Sequence, residues 1–431
     1  MMYRVFIYII CGFGFGWVTA DTQTLVSLGD SLTIDQAVAV ALQYHPSLRV
    51  SRGNLSVAQA NLTIARSNDL PSITATASET HTDGAFLLRP GIPPSNQAYN
   101  TYAAGIQAQQ TILDFGKMVS RVRASDHLVD AVEYSDDSTR AGVIMNTALA
   151  YYALMQAEQV VAVTGQSVES ATQHLKQAQA FYSVGKAAQF DVTKAEVDLS
   201  VANVNLITAK NQVQIARLQL DDAMGIRSQR TYHVKRDFEV EPFDLSLDSV
   251  KSYTILNRPD LLAARARVEA NNSLVTAAWS QHLPTVSATG AYNWSNFAFP
   301  LLNRWTAGVT VTLPIFLGFS TQAQVDQANA GLEIARGNLD LLQQSVMLEA
   351  EQQYLNIKEA EERIGSTDKL VQEAQESLTL AEKQYTAGVG SALEVSDAQL
   401  ALSNARITRI QALSDYNSSL VRLKKAMGLF K

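Results

Sequence analysis

Few side chains in this sequence of 431 residues are spaced as catalytic groups are. The six histidines occur singly, without an HExxH pair or a cysteine partner, and no GxxxxGK[ST] phosphate loop is present. They are His45, His81, His127, His174, His233 and His282. An enzyme needs a converging set of reactive groups. The sequence therefore predicts a protein that catalyses nothing and holds no cofactor or metal.

Two acidic residues are the most suggestive pair. Glu394 and Asp397 are three residues apart, which places both carboxylates on one face of a helix. Carboxylates that line a narrow passage favour cations. The simpler interpretation is that both acids lie near the positive start of a helix, where carboxylates are stabilised without any further role.

The first twenty residues are predicted to be a secretory signal, residues 1–20, rather than an uncleaved anchor. Arg4 begins it, an apolar segment follows to Val18, and small residues precede Asp21. The apolar segment is shorter than the ~20 residues that span a membrane. The single cysteine, Cys11, lies inside it, so the mature chain has no thiol. Large Ile10 before Cys11 argues against lipidation at that residue.

The bulk composition excludes other classes of protein. Apolar residues make up 47% of the chain and charged residues only 17%, below the usual quarter. A net charge of -7 leaves no basic excess to bind nucleic acid. No apolar run beyond the signal approaches 18 residues, so any crossing of a membrane has to use strands.

The chain contains the same arrangement twice. Short motifs recur at a spacing of 213 residues and, after a loop that is ten residues longer in the first copy, at a spacing of 203 residues. Matched segments include 45–48 with 258–261, 70–73 with 283–286, and 223–225 with 426–428. Recurrence at a fixed spacing predicts a tandem structural repeat.

Each copy carries a long helix with apolar residues every seven positions, the signature of a supercoiled helix. One matched row is Leu154, Val161, Val168, Leu175 and Tyr182 with Ile357, Ile364, Val371, Leu378 and Tyr385. A second row of small residues is Ala157, Thr164, Ala171 and Ala178 with Ala360, Thr367, Ala374 and Ala381. These proline-free helices predict rods of ~100 Å at 1.5 Å per residue. Gly185 and Gly388 allow each rod to turn back into a second helix.

Alternating segments precede each rod and predict four strands per chain, with one polar and one apolar face. Four strands cannot close a barrel, and open edges are not tolerated in lipid, so closure requires several chains. Aromatic residues near the strand ends fit an interfacial girdle, although they could also fill the core of a soluble sandwich. They are Tyr99, Tyr102, Trp294, Phe297, Phe299 and Trp305.

The duplicated order of helix, strands, long helix, turn and returning helix resembles the outer-membrane efflux protein family. Residues 32–37, with Ala41, Leu42, His45 and Pro46, are similar to its opening motif. Residues 385–388, followed by 393–395 and 397–399, are similar to its second hairpin tip. The resemblance covers essentially the whole mature chain.

This resemblance implies a mixed α and β fold, mainly α, in which a homotrimer forms a twelve-stranded β-barrel in outer-membrane lipid, continuous with a periplasmic α-helical barrel. It implies an exit duct for tripartite efflux or type I secretion, with a periplasmic adaptor protein on the hairpin tips and an inner-membrane pump. The expected tip contacts are Tyr182, Ser183, Val184, Gly185, Thr386, Ala387 and Gly388. The alternative is a soluble periplasmic coiled-coil adaptor, and the transported substrate is not encoded in this chain.

The resemblance also implies a gate. Glu394 and Asp397 match acidic rings inside the periplasmic end, where three-fold symmetry brings like charges around one axis. An arginine of the family pairs with the acid matched here by Asp191, but this chain has Gly390 at the arginine position. Tyr385 is then the expected hydrogen-bond partner of Asp191, and Lys186 the candidate substitute cation.

The predicted boundaries follow from the two copies. The first repeat is 21–226, with strands at about 72–82 and 99–112, a long helix at about 117–184 and a return helix at about 189–224. A linker, 227–246, joins it to the second repeat, 247–431. The second repeat has strands at about 285–297 and 303–313, a long helix at about 321–387 and a return helix at about 391–427.

Overall fold

The computed structural model describes residues 31–83, 98–226, 232–235, 238 and 240–430. The expected signal 1–20 with Cys11, most of the loop between the first two strands, and part of the linker 227–246 lie outside these residues.

Each repeat consists of two shorter helices, two strands, a long helix and a return helix. The first contains α1 (Ile34–Tyr44), α2 (Pro46–Ser67), β2 (Ser72–Thr82), β3 (Tyr99–Leu113), α3 (Lys117–Ser183) and α4 (Gln189–Met224), after a short strand β1 (Ser31–Leu32). The second contains α5 (Leu247–Asn257), α6 (Pro259–Trp279), β5 (Thr285–Asn296), β6 (Leu302–Thr312), α7 (Ser320–Ala387) and α8 (Ala392–Ala426), after a short strand β4 (His233–Val234). The protein is therefore mainly helical, with a smaller sheet.

The recurrent motifs pack against each other at matched places. Gly225 and Gly428 end their helices with φ of +69° and +70°, a conformation that favours glycine. A Cβ on Gly225 would lie 2.6 Å from the Cα of His45, and one on Gly428 would lie 2.5 Å from the carbonyl oxygen of Asn257. The end of each return helix thus contacts the X-Pro turn that starts α2 or α6, which explains why both motifs occur together.

The long helices pair with their return helices as two antiparallel hairpins: α3 with α4, and α7 with α8. At 67 and 68 residues, α3 and α7 are each ~100 Å long at 1.5 Å per residue. All eight residues of the predicted small row are buried: Ala157, Thr164, Ala171, Ala178, Ala360, Thr367, Ala374 and Ala381. Their burial confirms the expected heptad packing. Their small size lets the helices approach closely.

The four longer strands form one antiparallel sheet in the order β2-β3-β5-β6. Its register puts like residues on like faces. Ile73 lies opposite Ala108, Tyr292 lies opposite both Ile106 and Trp305, and together they define an apolar face. The other face carries Thr74, Thr76, Gln107, Asn293, Thr289, Thr306 and Thr310.

The apolar face is uncovered. Ile73, Trp305, Val309 and Val311 are each at least 65% exposed, and no second sheet covers them in the part of the chain that the structure describes. The predicted alternation is confirmed, and the soluble-sandwich interpretation is wrong for this sheet. Aromatic pairs lie at its far end, where the rings of Tyr99 and Phe297 are 5.5 Å apart and those of Tyr102 and Phe299 are 5.2 Å apart.

The segment between the repeats attaches to the middle of the hairpins. β4 pairs in parallel with β1, and the Tyr151 hydroxyl of α3 donates a 3.0 Å hydrogen bond to the carbonyl of Leu32. The Tyr232 hydroxyl donates to Asp221 at 2.8 Å. Tyr232 and Asp221 are 1% and 8% exposed, and this burial raises the pKa of both, so the pair is a structural anchor shielded from water. Among the described helices, none combines the length and apolar character needed to cross a membrane.

Candidate functional site at the hairpin tips

Each hairpin turns at a glycine with positive φ, Gly185 at +76° and Gly388 at +78°. In both turns a backbone N–H closes back on the end of the long helix, from Lys186 to Phe181 at 2.8 Å and from Val389 to Gln384 at 3.0 Å. The turn residues Tyr182, Ser183, Val184, Thr386 and Ala387 are exposed, as are the two glycines. The tips therefore offer free surface at one end of the molecule.

The matched tyrosines at the two tips are not equivalent. Tyr182 is 48% exposed, whereas Tyr385 is 6% exposed. The Tyr385 ring lies 5.3 Å from the ring of His174 and 5.5 Å from that of Phe181, both on α3. Tyr385 therefore joins the second hairpin to the first.

The expected hydrogen bond between Tyr385 and Asp191 is not formed. The Tyr385 hydroxyl is buried and has no hydrogen-bond partner among the described residues. Burial, followed by the nearby Asp191 charge, raises the pKa of Tyr385. Asp191 instead accepts the N–H of Ala188 at 3.2 Å, at the start of α4. Lys186 makes no ion pair within the described ranges, so the structure does not place it as a substitute cation.

Glu394 and Asp397 lie at the start of α8. The Glu394 carboxylate accepts the N–H of Ser391 at 3.0 Å, and the Ser391 hydroxyl accepts the N–H of Glu394 at 3.3 Å. This reciprocal pair is a capping box, so Glu394 has the helix-stabilising role of the simpler interpretation. Asp397 is exposed and lines a groove of about 580 Å³ formed mainly by α3, α4 and α8.

A three-residue cluster near the tips was not predicted. Lys194 Nζ lies 2.5 Å from Asp198 Oδ1 and 2.8 Å from the hydroxyl oxygen of Ser396. The Ser396 hydroxyl donates to Asp198 Oδ2 at 2.6 Å. The spacing of four between Lys194 and Asp198 is visible in the sequence. Their meeting with Ser396, on the other hairpin, is a tertiary contact that no local pattern indicates.

Contacts between the two hairpins are polar along much of their length. Ser167 bonds Ser403 at 3.1 Å, Arg406 bonds Gln166 at 2.7 Å, and Gln156 bonds Gln411 at 2.6 Å. The seams inside each hairpin are apolar by contrast. Hydrogen bonds of this kind can exchange for bonds to water at little net cost. The boundary between the hairpins therefore relies more on hydrogen bonds than either seam does, and the packing of Tyr385 on His174 and Phe181 adds an aromatic contact near the tips.

This architecture, a sheet with one bare apolar face continued by two long hairpins, defines the class of outer-membrane channels with a periplasmic extension. The chain belongs to the outer membrane efflux protein family, whose sequence pattern matches residues 37–226 and 252–429. It is an outer-membrane efflux protein, and the alternative of a soluble adaptor is wrong.

Individual relatives agree over nearly the full length. Outer membrane protein TolC of Escherichia coli (strain K12) is 25% identical over 424 residues, covering 93% of this chain and 83% of that protein. Outer membrane efflux protein BepC of Brucella suis biovar 1 is 24% identical over 404 residues, covering 92% and 86%. The solved Campylobacter jejuni CmeC outer membrane channel has the same fold, with a TM-score of 0.83, 21% identity, and coverage of 92% and 85%.

Proposed function

We propose that three copies of this chain form the exit duct of a tripartite efflux or type I secretion system. The duct passively conducts substrates from an inner-membrane pump and a periplasmic adaptor to the exterior. Three four-stranded sheets close a twelve-stranded barrel in outer-membrane lipid, and three pairs of hairpins form a helical barrel across the periplasm. The protein acts without catalysis or cofactor.

The observation that carries this proposal is a mismatch between equivalent surfaces of the two repeats. α6 packs extensively against both α3 and α7, whereas α2 packs extensively only against α3. Ala263, Ala270 and Ala277 of α6 are buried. Their matched residues on α2, Val50, Val57 and Ile64, are 60–64% exposed although they are larger and more apolar.

The missing partner has a matching surface on α7. Ile334, Leu341, Leu348 and Leu355 recur every seven residues and are 57–67% exposed. The equivalent positions of α3 are covered within the chain: Ala131 is buried, and Ser138 and Met145 are half-buried. If α2 of one copy packs on α7 of the next as α6 packs on α3, both apolar stripes are buried.

The same operation joins the sheets. β2 and β6 are the two edges of the sheet, and their backbone groups have no strand partner on the outer side within the described residues. An unpaired edge is costly in lipid. Pairing β6 of one copy with β2 of the next removes every edge, provided that the ring closes.

The test uses the α3–α6 contact as a template. Arg267 of α6 bonds Ser135 of α3 at 3.2 Å, and the matched exposed residues are Asn54 of α2 and Asn338 of α7. We expect the double variant Asn54→Cys with Asn338→Cys, treated with a short bis-maleimide in outer membranes, to give covalent dimers and trimers. Each single variant should remain monomeric on denaturing gels. Monomers only, or a ladder beyond three, would contradict the trimer.

The gate proposal concerns the charged tip residues. In the trimer, Glu394 and Asp397 surround the axis in three copies and favour cations at the periplasmic end. Tyr385 and Asp191 contribute to closure by packing and charge rather than by a mutual hydrogen bond. Lys186 stays a candidate cation for a neighbouring copy, since no partner holds it among the described residues.

The adaptor proposal rests on exposure at the tips. Val184 is 66% exposed and Val389 is 81% exposed. These two exposed apolar side chains, one at each turn, are part of the surface that the adaptor would cover. The contact residues are those of the two turns: Tyr182, Ser183, Val184, Gly185, Thr386, Ala387 and Gly388.

A further inference from the structure

The cluster of Lys194, Asp198 and Ser396 closes a ring of three polar contacts. The lysine ammonium donates to the serine oxygen and pairs with one carboxylate oxygen, while the serine hydroxyl donates to the other. The lysine and serine donors therefore bond different oxygen atoms and do not compete for one acceptor. The side chains of Lys194 and Asp198 are only 29% and 25% exposed, so water screens the pair less than a surface ion pair.

The position of this cluster gives it a mechanical role. Lys194 and Asp198 lie on α4, within three turns of the first tip, and Ser396 lies at the start of α8. Between α4 and α8 these are the only hydrogen bonds or ion pairs in the part of the chain that the structure describes. The other polar contacts between the hairpins start from α3. One joins α3 to α7 at the tips, and the others join α3 to α8 further along the hairpins.

The cluster has a buried neighbour, His174, and it also lines the groove of about 580 Å³ between α3, α4 and α8. His174 is 5% exposed on α3, and it lies within electrostatic reach of Asp198, Lys194 and Asp191 on α4. The ring of Tyr385, on α7, packs against the His174 ring. A charge-assisted hydrogen bond between part-buried groups is stronger than one between fully exposed groups.

We propose that Lys194, Asp198 and Ser396 form a clamp that holds the two return helices together and limits the width of the duct at its periplasmic end. The clamp rests on the proposed duct function and adds the residues that restrain its opening. Loss of the Ser396 hydroxyl removes both links to α8 but leaves the ion pair within α4 intact.

The experiment measures single-channel conductance of purified trimers in planar bilayers. Ser396→Ala should raise conductance at least two-fold, and Ser396→Thr, which keeps a hydroxyl, should restore the wild-type value. Ser200→Ala is the matched control, because the Ser200 hydroxyl bonds only Glu196 of its own helix at 2.8 Å. This control should conduct as the wild type does.

A second variant separates a loosened tip from a folding defect. Lys194→Cys with Ser396→Cys, bridged by a short bis-methanethiosulfonate reagent, should keep conductance low, and reduction of the bridge should raise conductance to the level of Ser396→Ala. Channels with equal conductance in wild type, Ser396→Ala and the reduced cysteine pair would overturn the clamp. If the wild type itself forms no channel, the duct proposal fails instead.

Discussion

The apolar stripe on α7 provides the sharpest test of assembly. Leu341 is 67% exposed in the single chain, and its equivalent on α3 is Ser138. Replacing Leu341 with serine therefore introduces the residue that the first repeat already carries on the same kind of helix. Burying a whole leucine side chain contributes about 1.5–3 kcal/mol. Two-thirds of that gain, about 1–2 kcal/mol, belongs to each contact between copies, or about 3–6 kcal/mol in a ring of three.

The assay is the temperature at which detergent-solubilised trimers dissociate, read by gel filtration or native gels. Leu341→Ser should lower this temperature, and adding Leu348→Ser should lower it further. The matched control is Leu256→Gln on α5, because Leu256 is 66% exposed and its equivalent in the first repeat is polar Gln43. This change should leave the dissociation temperature unaltered.

Two results would refute the reasoning. Equal dissociation temperatures for Leu341→Ser and Leu256→Gln would show that the stripe does not contact a neighbour. Strict additivity between Leu341→Ser and Val50→Ser, which the antiparallel α3–α6 template places opposite each other, would count against direct contact, since residues that touch show coupling of roughly 0.5–3 kcal/mol.

Three further predictions concern the hairpins. Burial lowers the pKa of His174 despite nearby Asp198, so the packed hairpins favour the neutral ring; this stabilisation is present above the ordinary pKa and is lost as pH falls. Conductance should therefore rise on acidification below about pH 6.5. His174→Gln should remove that part of the response, whereas the control His127→Gln, at a half-exposed histidine of the same helix, should not. Ile357→Ala, at a fully buried site, should cost about 2–5 kcal/mol in urea unfolding, against little for half-exposed Leu370→Ala. Glu394→Ala with Asp397→Ala should weaken block of the channel by divalent cations, and equal block would argue against an acidic ring.

The regular parts of the fold could be predicted because their apolar residues recur at short, fixed intervals along the sequence. Two patterns show this: the heptad row that includes Ala157 and Ala360, and the alternation around Val309. Each pattern depends on neighbours a few residues away, so the sequence alone indicates which face of the helix or strand is distinct. The tandem repeat strengthens both predictions, because the two copies keep the same heptad register and the same order of elements. The turn glycines, Gly185 and Gly388, follow for the same reason: their conformation is local.

The contacts at the tip could not be predicted in this way. Tyr385 was expected to bond Asp191 because both residues occupy matched family positions, but position along a helix does not fix which direction a hydroxyl faces. Asp191 had a nearer donor in its own helix start, the N–H of Ala188. Ser396 meets Lys194 only because two hairpins, about 200 residues apart in sequence, come together. Such pairs depend on the packing angle between rods, which no periodicity specifies.

The two repeats differ in the size of the apolar residues on α2 and α6. In the proposed trimer, α6 makes its contact within the chain and α2 makes the equivalent contact with another copy. Within the chain, α6 needs only alanines such as Ala270 to pack against α3, because the connecting chain already holds the helices together. Between copies, association also costs translational and rotational freedom, roughly 4–15 kcal/mol. A contact that must offset this cost needs more apolar surface for each residue. Val57 at the equivalent position of α2, on the stripe that packs against α7 of the next copy in the proposed trimer, supplies that surface. Valine and isoleucine on α2 therefore replace the alanines of α6 because, in the proposed trimer, the α2 contact forms between separate chains and has to bury more apolar surface.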